Sequence, residues 1–357
     1  MPQSAKPSTP SKSQPTIVAY NEAGRTPLPE SGALANLCAG ARLIATGDPA
    51  ALRAALAPSL LHPGPMAVLT NTLNPETLTW IHGDARNANP NAVVILLVDK
   101  VHAEYTKALG GREHDLVDHI IAVRHDADTA PSADRQSSPS TQSCQWSNMD
   151  LRATLQKLIR RDLFGVAKYL RTGARFATFP VTSSKDRDPL HNETANFALA
   201  CGLSQSVAMA AKQIVQEMLL NAIYDAPNAA GRHEVKERSG RPVDLAPQDH
   251  GRLELGFDGE ILAVSVWDPF GLFKRDIFFT YARKALNRAN SEEIIDSKIE
   301  GAGLGLMTVY LRSHGLICNV DPGRGTEVMA LIDTRTKVRD FEKIPRSIHY
   351  FTPPQIN

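Results

Sequence analysis

The segment "QIVQEMLLNAIYDA", residues 213–226, carries Glu217, Asn221 and Asp225 at i, i+4 and i+8. In a helix that spacing projects all three from one face, beside a stripe of Ile214, Val215, Met218, Leu219 and Ala222. Two carboxylates and an amide oxygen in one row can hold Mg²⁺ and orient a water or hydroxyl. A solvated polar stripe would have the same spacing, but Asn is a poor helix former and an odd choice there. Further on, "VSVWDPFGLF" puts Asp268 at the end of an apolar strand, beside a Pro-Phe-Gly turn. A carboxylate there can accept a hydrogen bond from an exocyclic amine, such as N6 of adenine, or simply cap its own turn.

A third stretch, "IEGAGLGLMTVY", residues 299–310, spaces Gly301, Gly303 and Gly305 as G-x-G-x-G and runs directly into an apolar helical pattern. Glycines leave N–H groups uncovered, and the free N–H groups and positive dipole end of the helix that follows suit a phosphate. A flexible hinge without a ligand fits the triplet equally well. The dinucleotide fingerprint is excluded because the preceding "NRANSEEIIDSKIE" is polar and charged, not a buried strand. A Walker loop is excluded because no Gly-Lys-Ser/Thr follows.

The elements that must position these residues follow from the pattern of the chain. Residues 1–30 are rich in Pro, Ser and Lys and read as a disordered tail. Residues 31–125 alternate helical and apolar runs, among them "DPAALRAALAPSLL", "MAVLTN", "NAVVILLVDK" and "HIIAVRH", the pattern of an α/β layer with a parallel sheet. Residues 126–148 are a polar linker, and a connecting helix is expected within 149–175. Residues 176–335 give helix, long helix, hairpin, helix, glycine loop, helix and strand. The hairpin is "LELGFDGEILAVSVWD", turning at Asp258-Gly259. Residues 336–357 read as a C-terminal tail.

The composition limits what the chain can do. Among 357 residues, 39 Lys and Arg stand against 38 Asp and Glu, so no general affinity for polyanions is implied and no nucleic-acid partner is expected. The four cysteines form no C-x-x-C pair, which argues against a zinc site and a disulfide framework. No apolar run is long enough to span a bilayer and no secretory leader is visible, so no membrane partner is expected and a cytoplasmic location is.

In chain order, "EMLLNAIYD", "DPFG", "GAGLG" and "PGRGTEVMALI" resemble the N box, the two glycine boxes and the late Gly-x-Gly-Thr turn of the GHKL ATPase superfamily. The resemblance covers about residues 176–335. It implies a two-layer α/β sandwich binding ATP and Mg²⁺ under a mobile lid, preceded by a smaller receiver-like α/β unit. Asn221 would then ligate Mg²⁺ with Asp225 beside it, Asp268 would read adenine, and Gly271 would line the adenine pocket. Gly301, Gly303 and Gly305, with Leu306 following, would wrap the phosphates. Thr326 would support the adenine end, and Glu217 would be the general base. One departure stands out: "DPFGL" has Phe270 and Leu272 where the family has two glycines, displacing Gly271 by one position.

Within the superfamily the chain is most similar to the anti-sigma-factor serine kinases. Gyrase-like members need a transducer domain after the ATPase. Histidine kinases need a phosphoacceptor, for which His191 is a poor candidate and reads instead as a surface histidine. Asp99 is the candidate acceptor of the receiver-like unit, which lacks the usual acidic pair. Lys274, Arg275, Arg283 and Lys284 are basic residues expected near the lid. The resemblance implies an ATP-dependent protein kinase acting on a regulatory protein, such as a sigma factor or an anti-anti-sigma protein, with a homodimer compatible. A switch that binds ATP and a partner without transfer, and a histidine-kinase-like protein of a phosphorelay, are the alternatives.

Overall fold

The computed structural model describes residues 14–23, 28, 34–36, 40–57, 64–98, 115–123, 145–232, 242–290, 304–343 and 346–353. Strands β1 (Thr16–Tyr20), β2 (Arg42–Thr46), β3 (Met66–Thr70), β4 (Val93–Val98) and β5 (His119–Ala122) are parallel, in the order β2-β1-β3-β4-β5. This is one of the doubly wound strand orders. Helices α1 (Pro49–Ala55) and α2 (Pro75–Ala88) make the β2–β3 and β3–β4 crossovers, and both start alike. Asp48 accepts from the N–H groups of Ala50 and Ala51, Asn74 from those of Glu76 and Thr77, and a proline follows each cap.

The remaining strands are β6 (Arg175–Val181), β7 (Gly251–Phe257), β8 (Ile261–Asp268), β9 (Gly315–Asp321), β10 (Gly325–Asp333) and β11 (Ser347–Phe351). β7 and β8 form the expected hairpin, with Gly259 at φ 98 in its turn. Helices α3 (Gln145–Arg160), α4 (Arg187–Ala200), α5 (Gln205–Leu220) and α6 (Arg275–Asn290) accompany these strands and the join to them. Helix α7 (Leu304–Leu311) precedes β9. All the strands among the described residues belong to one eleven-stranded sheet, ordered β2-β1-β3-β4-β5-β11-β9-β10-β8-β7-β6.

The mixed α/β architecture expected from the sequence is present, but three expectations change. β1 lies inside the stretch 1–30 expected to be disordered: "TIVAY" is wholly buried, and its five residues are too few to stand out against the surrounding Pro and Ser. β11 lies inside the stretch expected to be a tail. It pairs antiparallel with β5 and parallel with β9, so the two expected units share one sheet rather than closing separately. His191, expected at the surface, is buried in α4, where Leu190, Thr194 and Ala198 are also buried. The candidate acceptor Asp99 and most of the 126–148 linker lie outside the described residues.

Strand alternation divides the side chains between two faces. On one, Val264, Leu316, Val328 and Ala330 pack with residues of α5, α6 and α7. On the other, Ala263, Ile317, Met329 and Leu331 pack with Ala153 of α3 and with Val166 and Tyr169 of a short 3-10 turn, Val166–Tyr169. α3 also covers the parallel half, through Leu151 and Leu155 against Ile95 and Ile121.

Candidate functional site

α5 starts at Ser204, whose Oγ accepts from the N–H of Val207 at 3.3 Å. It buries Val207, Ala211, Ile214, Val215, Met218 and Leu219, the stripe expected from the sequence and its amino-terminal continuation. The regular helix ends at Leu220, however, and Asn221–Asp225 form a π turn in which the Ala226 N–H donates to the Asn221 carbonyl. Glu217, Asn221 and Asp225 therefore do not share one continuous α-helical face. A π turn changes the angular step per residue, and such turns recur at functional sites.

A cavity of about 680 Å³ lies at the end of the sheet where β8 finishes and β10 begins. Asn221, Asp225, Asp268 and Thr326 all line it. Asp268 and Thr326 face each other across the β8–β10 ladder, on the face that carries α5. Asp268 is 8 % exposed, and its Oδ1 accepts from the N–H of Phe270 at 2.9 Å. Burial pushes its carboxyl up to about 7, against the opposing pull of backbone N–H groups of Phe270, Gly271 and Thr326. Leu272 and Ile277 line the same cavity although they are exposed, giving it an apolar wall. Thr280 and Tyr281 also line it and were not singled out in the sequence. They precede the polar "NRANSEEIID" on an amphipathic helix, so nothing in their pattern separates them from packing residues.

Other expected site residues stand elsewhere. Gly305, at the start of α7, lies against Glu217 of α5: a Cβ there would come within 2.6 Å of Glu217 Oε2. The start of α7 thus lies beside the expected general base, but neither Gly305 nor Glu217 lines the cavity. Gly271 has φ +65, and a Cβ on it would meet the Asp321 carbonyl at 2.4 Å, so it closes the turn after β8 against the end of β9. Leu306 is buried in the core, which leaves its backbone as what it could offer a ligand. Gly301 and Gly303 lie outside the described residues. Of the basic residues expected near the lid, Lys274 lines the cavity, whereas Arg275 turns away and donates to the Val117 carbonyl.

On the opposite face of the sheet is a buried ionic network that the sequence reading missed. Lys157 of α3, 1 % exposed, donates from Nζ to Asn319 Oδ1 at 3.0 Å, and Asn319 Nδ2 donates to Glu327 Oε2 at 2.7 Å. The Gly165 N–H and Ser265 Oγ also donate to Glu327. Burial pulls Lys157 down to about 7 and pushes Glu327 up, while their mutual attraction opposes both shifts. Two signals were available: Lys157 stands between Leu155 and Leu158 in an apolar stripe, and Glu327 interrupts a buried strand. Neither says which partner the other finds.

Among the described residues no group of three or more His, Cys, Asp or Glu could hold a metal ion, and no helix is long and apolar enough to cross a membrane. No family model matches the chain, and no curated protein matches it. Among solved structures, a chain from the crystal structure of the SiaB-SiaC complex from Pseudomonas aeruginosa is similar at 18% identity with a TM-score of 0.31. The match covers 52% of this chain and 98% of that one. No functional statement follows from a likeness at that level.

Proposed function

We propose that the chain is an ATP-binding signalling regulator that holds Mg-ATP in the 680 Å³ cavity and acts on a regulatory protein. One observation carries the reading: Asn221 and Asp225 from one motif, Asp268 from a second and Thr326 from a third line a single cavity. Its volume lies in the range of small-molecule sites, and it combines an apolar wall with a few polar groups. Leu272 and Ile277 would face the flat adenine ring, and Asp268 would accept from its exocyclic amine. The amide oxygen of Asn221 and the carboxylate of Asp225 are hard oxygen donors of the kind Mg²⁺ takes. Mg²⁺, when bound, supplies neutralisation of phosphate charge.

In the kinase form of this reading, Glu217 accepts the proton of a partner's Ser or Thr hydroxyl as its oxygen bonds to the γ-phosphorus and ADP leaves. A second reading has its own observation. Glu217 stands against Gly305 and outside the lining of the cavity, which favours an ATP-dependent binding switch without transfer. Titration with Mg-ATP tests the shared claim. Asn221→Ala is expected to weaken affinity by about tenfold or more, the scale of a lost charge-assisted contact; unchanged affinity overturns the assignment. With labelled ATP and a captured partner, transfer that disappears in Glu217→Ala while ATP still binds supports the kinase. Binding without transfer in the unaltered protein supports the switch.

A further inference from the structure

A further cavity, of about 330 Å³, lies at the opposite end of the sheet from the 680 Å³ cavity. β10 begins with Thr326 beside the one and is followed by Thr334 at the other. α5 likewise spans the two, with Ser204 here and Asn221 there, about 24 Å apart at 1.5 Å per residue. One wall is the first turn of α5, with Ser204, Ser206 and Val207; the other is formed by residues 334–339, which follow β10. In that first turn the Val207 N–H donates to Ser204 Oγ and the Ala208 N–H to the Ser204 carbonyl at 3.0 Å. The N–H groups of Gln205 and Ser206 precede the first intrahelical bond, so the helix cannot satisfy them, and the positive end of its dipole lies with them.

The facing wall is cross-braced. Arg335 Nε and Nη2 donate to Asp333 Oδ1 and Oδ2 at 2.9 and 2.8 Å, and its Nη1 stands 3.2 Å from Glu260 Oε2. Thr334 Oγ1 donates to the Glu260 carbonyl at 2.8 Å, and the Thr336 N–H to the Asp333 carbonyl at 3.2 Å. Arg335 is therefore neutralised by two carboxylates and shapes the turn. Thr336 is different. It lines the cavity at 7 % exposure, and its Oγ1 is buried with no hydrogen-bond partner among the described residues. A buried hydroxyl without a partner costs free energy that a ligand can recover, and its hydrogen rotates to suit one. No carboxylate is among the described residues that line the cavity. What the walls offer is donors: the first-turn N–H groups of α5, the hydroxyls of Ser206 and Thr336, and the ammonium of Lys337. Arg339 stands at the rim, 3.7 Å from Asp340.

We propose that this cavity binds a tetrahedral oxyanion, phosphate or sulfate, seated on the amino end of α5. The first-turn N–H groups would donate to it from one wall and Thr336 Oγ1 from the other, with Lys337 at the mouth. Donors on two facing walls suit an anion with oxygens on every side better than a planar carboxylate, which presents two. Charge contributes little to the choice, because Arg335 is already paired and Lys337 and Arg339 are exposed. Nothing in this site depends on what occupies the 680 Å³ cavity.

Calorimetric titration of the full chain with phosphate, sulfate and acetate at constant ionic strength tests the proposal. Phosphate and sulfate should each bind at one site, about tenfold or more tightly than acetate. Thr336→Val keeps the shape and removes the hydroxyl, so phosphate should weaken by about tenfold. Without anion its melting temperature should be unchanged or higher, since the lost hydroxyl had no partner. Thr336→Ser restores the hydroxyl and should restore the affinity. Gln205→Pro removes a first-turn N–H where proline suits a helix start, and should weaken phosphate by about tenfold from the other wall. Glycerol 3-phosphate separates two sources of the anion: tighter binding than inorganic phosphate assigns the site to an ester, weaker binding to the free ion. Asn221→Ala should leave phosphate binding unchanged. Absence of saturable binding, equal affinity for acetate, or unchanged affinity in either Thr336→Val or Gln205→Pro overturns the proposal. Loss in Asn221→Ala with retention in Thr336→Val would place the phosphate in the 680 Å³ cavity and overturn it equally.

Discussion

Asp268 is held between burial, which favours its protonated form, and three backbone N–H groups, which favour the carboxylate. Burial dominates and raises it from 3.8 to about 7. The folded chain therefore binds this proton more tightly than the unfolded chain does. The stabilisation is complete below about pH 4 and is lost as pH rises through about 7. Asp268→Asn keeps the shape and removes the titration. Urea denaturation at a series of pH values should show the unaltered protein losing stability between about pH 5 and pH 8 relative to this variant. At about 1.4 kcal/mol per unit, the divergence is on the order of 4 kcal/mol at most. Parallel pH profiles for the two proteins would rule this account out. At this scale the sequence was informative about residue type. It could say that Asp268 ends an apolar strand, but not that burial there outweighs its hydrogen bonds.

At the scale of elements, the α5 stripe was legible because a helix that buries one side repeats its apolar residues at three and four. The π turn after it was not. "NAIYDAPN" has no residue that demands an extra one per turn, and the change of hydrogen bonding is set by what α5 and the following chain pack against. α3 presents the same contrast. Its apolar spacing fixed a helix, while its attachment to the sheet through Lys157, Asn319 and Glu327 joins residues 162 positions apart. Removing one end of that network strands a buried charge. Lys157→Met or Glu327→Leu alone should destabilise the protein by about 3 kcal/mol or more, and the double variant should recover much of that loss. Strictly additive losses in chemical denaturation would refute the coupling.

At the scale of the whole molecule, β11 joins the parallel and antiparallel halves of the sheet. Arg346, just before it, is buried and donates to the carbonyls of Ser313, Leu311 and Phe341, which anchors the strand's entry. A chain ending at residue 343 would leave the backbone edges of β5 and β9 unpaired. Its melting midpoint should fall by about 5 °C or more, with aggregation visible by light scattering. A truncated chain that melts at the original temperature would show that the halves are independent. The 680 Å³ cavity sits at the sheet end that β11 completes, so the same truncation should weaken Mg-ATP binding as well.

The sequence by itself determined the types of element, the hairpin at Asp258-Gly259 and the chemistry of the candidate residues. These depend on local periodicity, turn preference and side-chain functional groups. Only the tertiary structure decided that "TIVAY" is a core strand, that "SIHYF" joins the two halves, and that Asn221, Asp225, Asp268 and Thr326 share one cavity while Glu217 and Leu306 do not. Each of these depends on which strand pairs with which over distances of tens to hundreds of residues. Pairing of that range is set by burial summed over the whole sheet, and no single segment carries that sum.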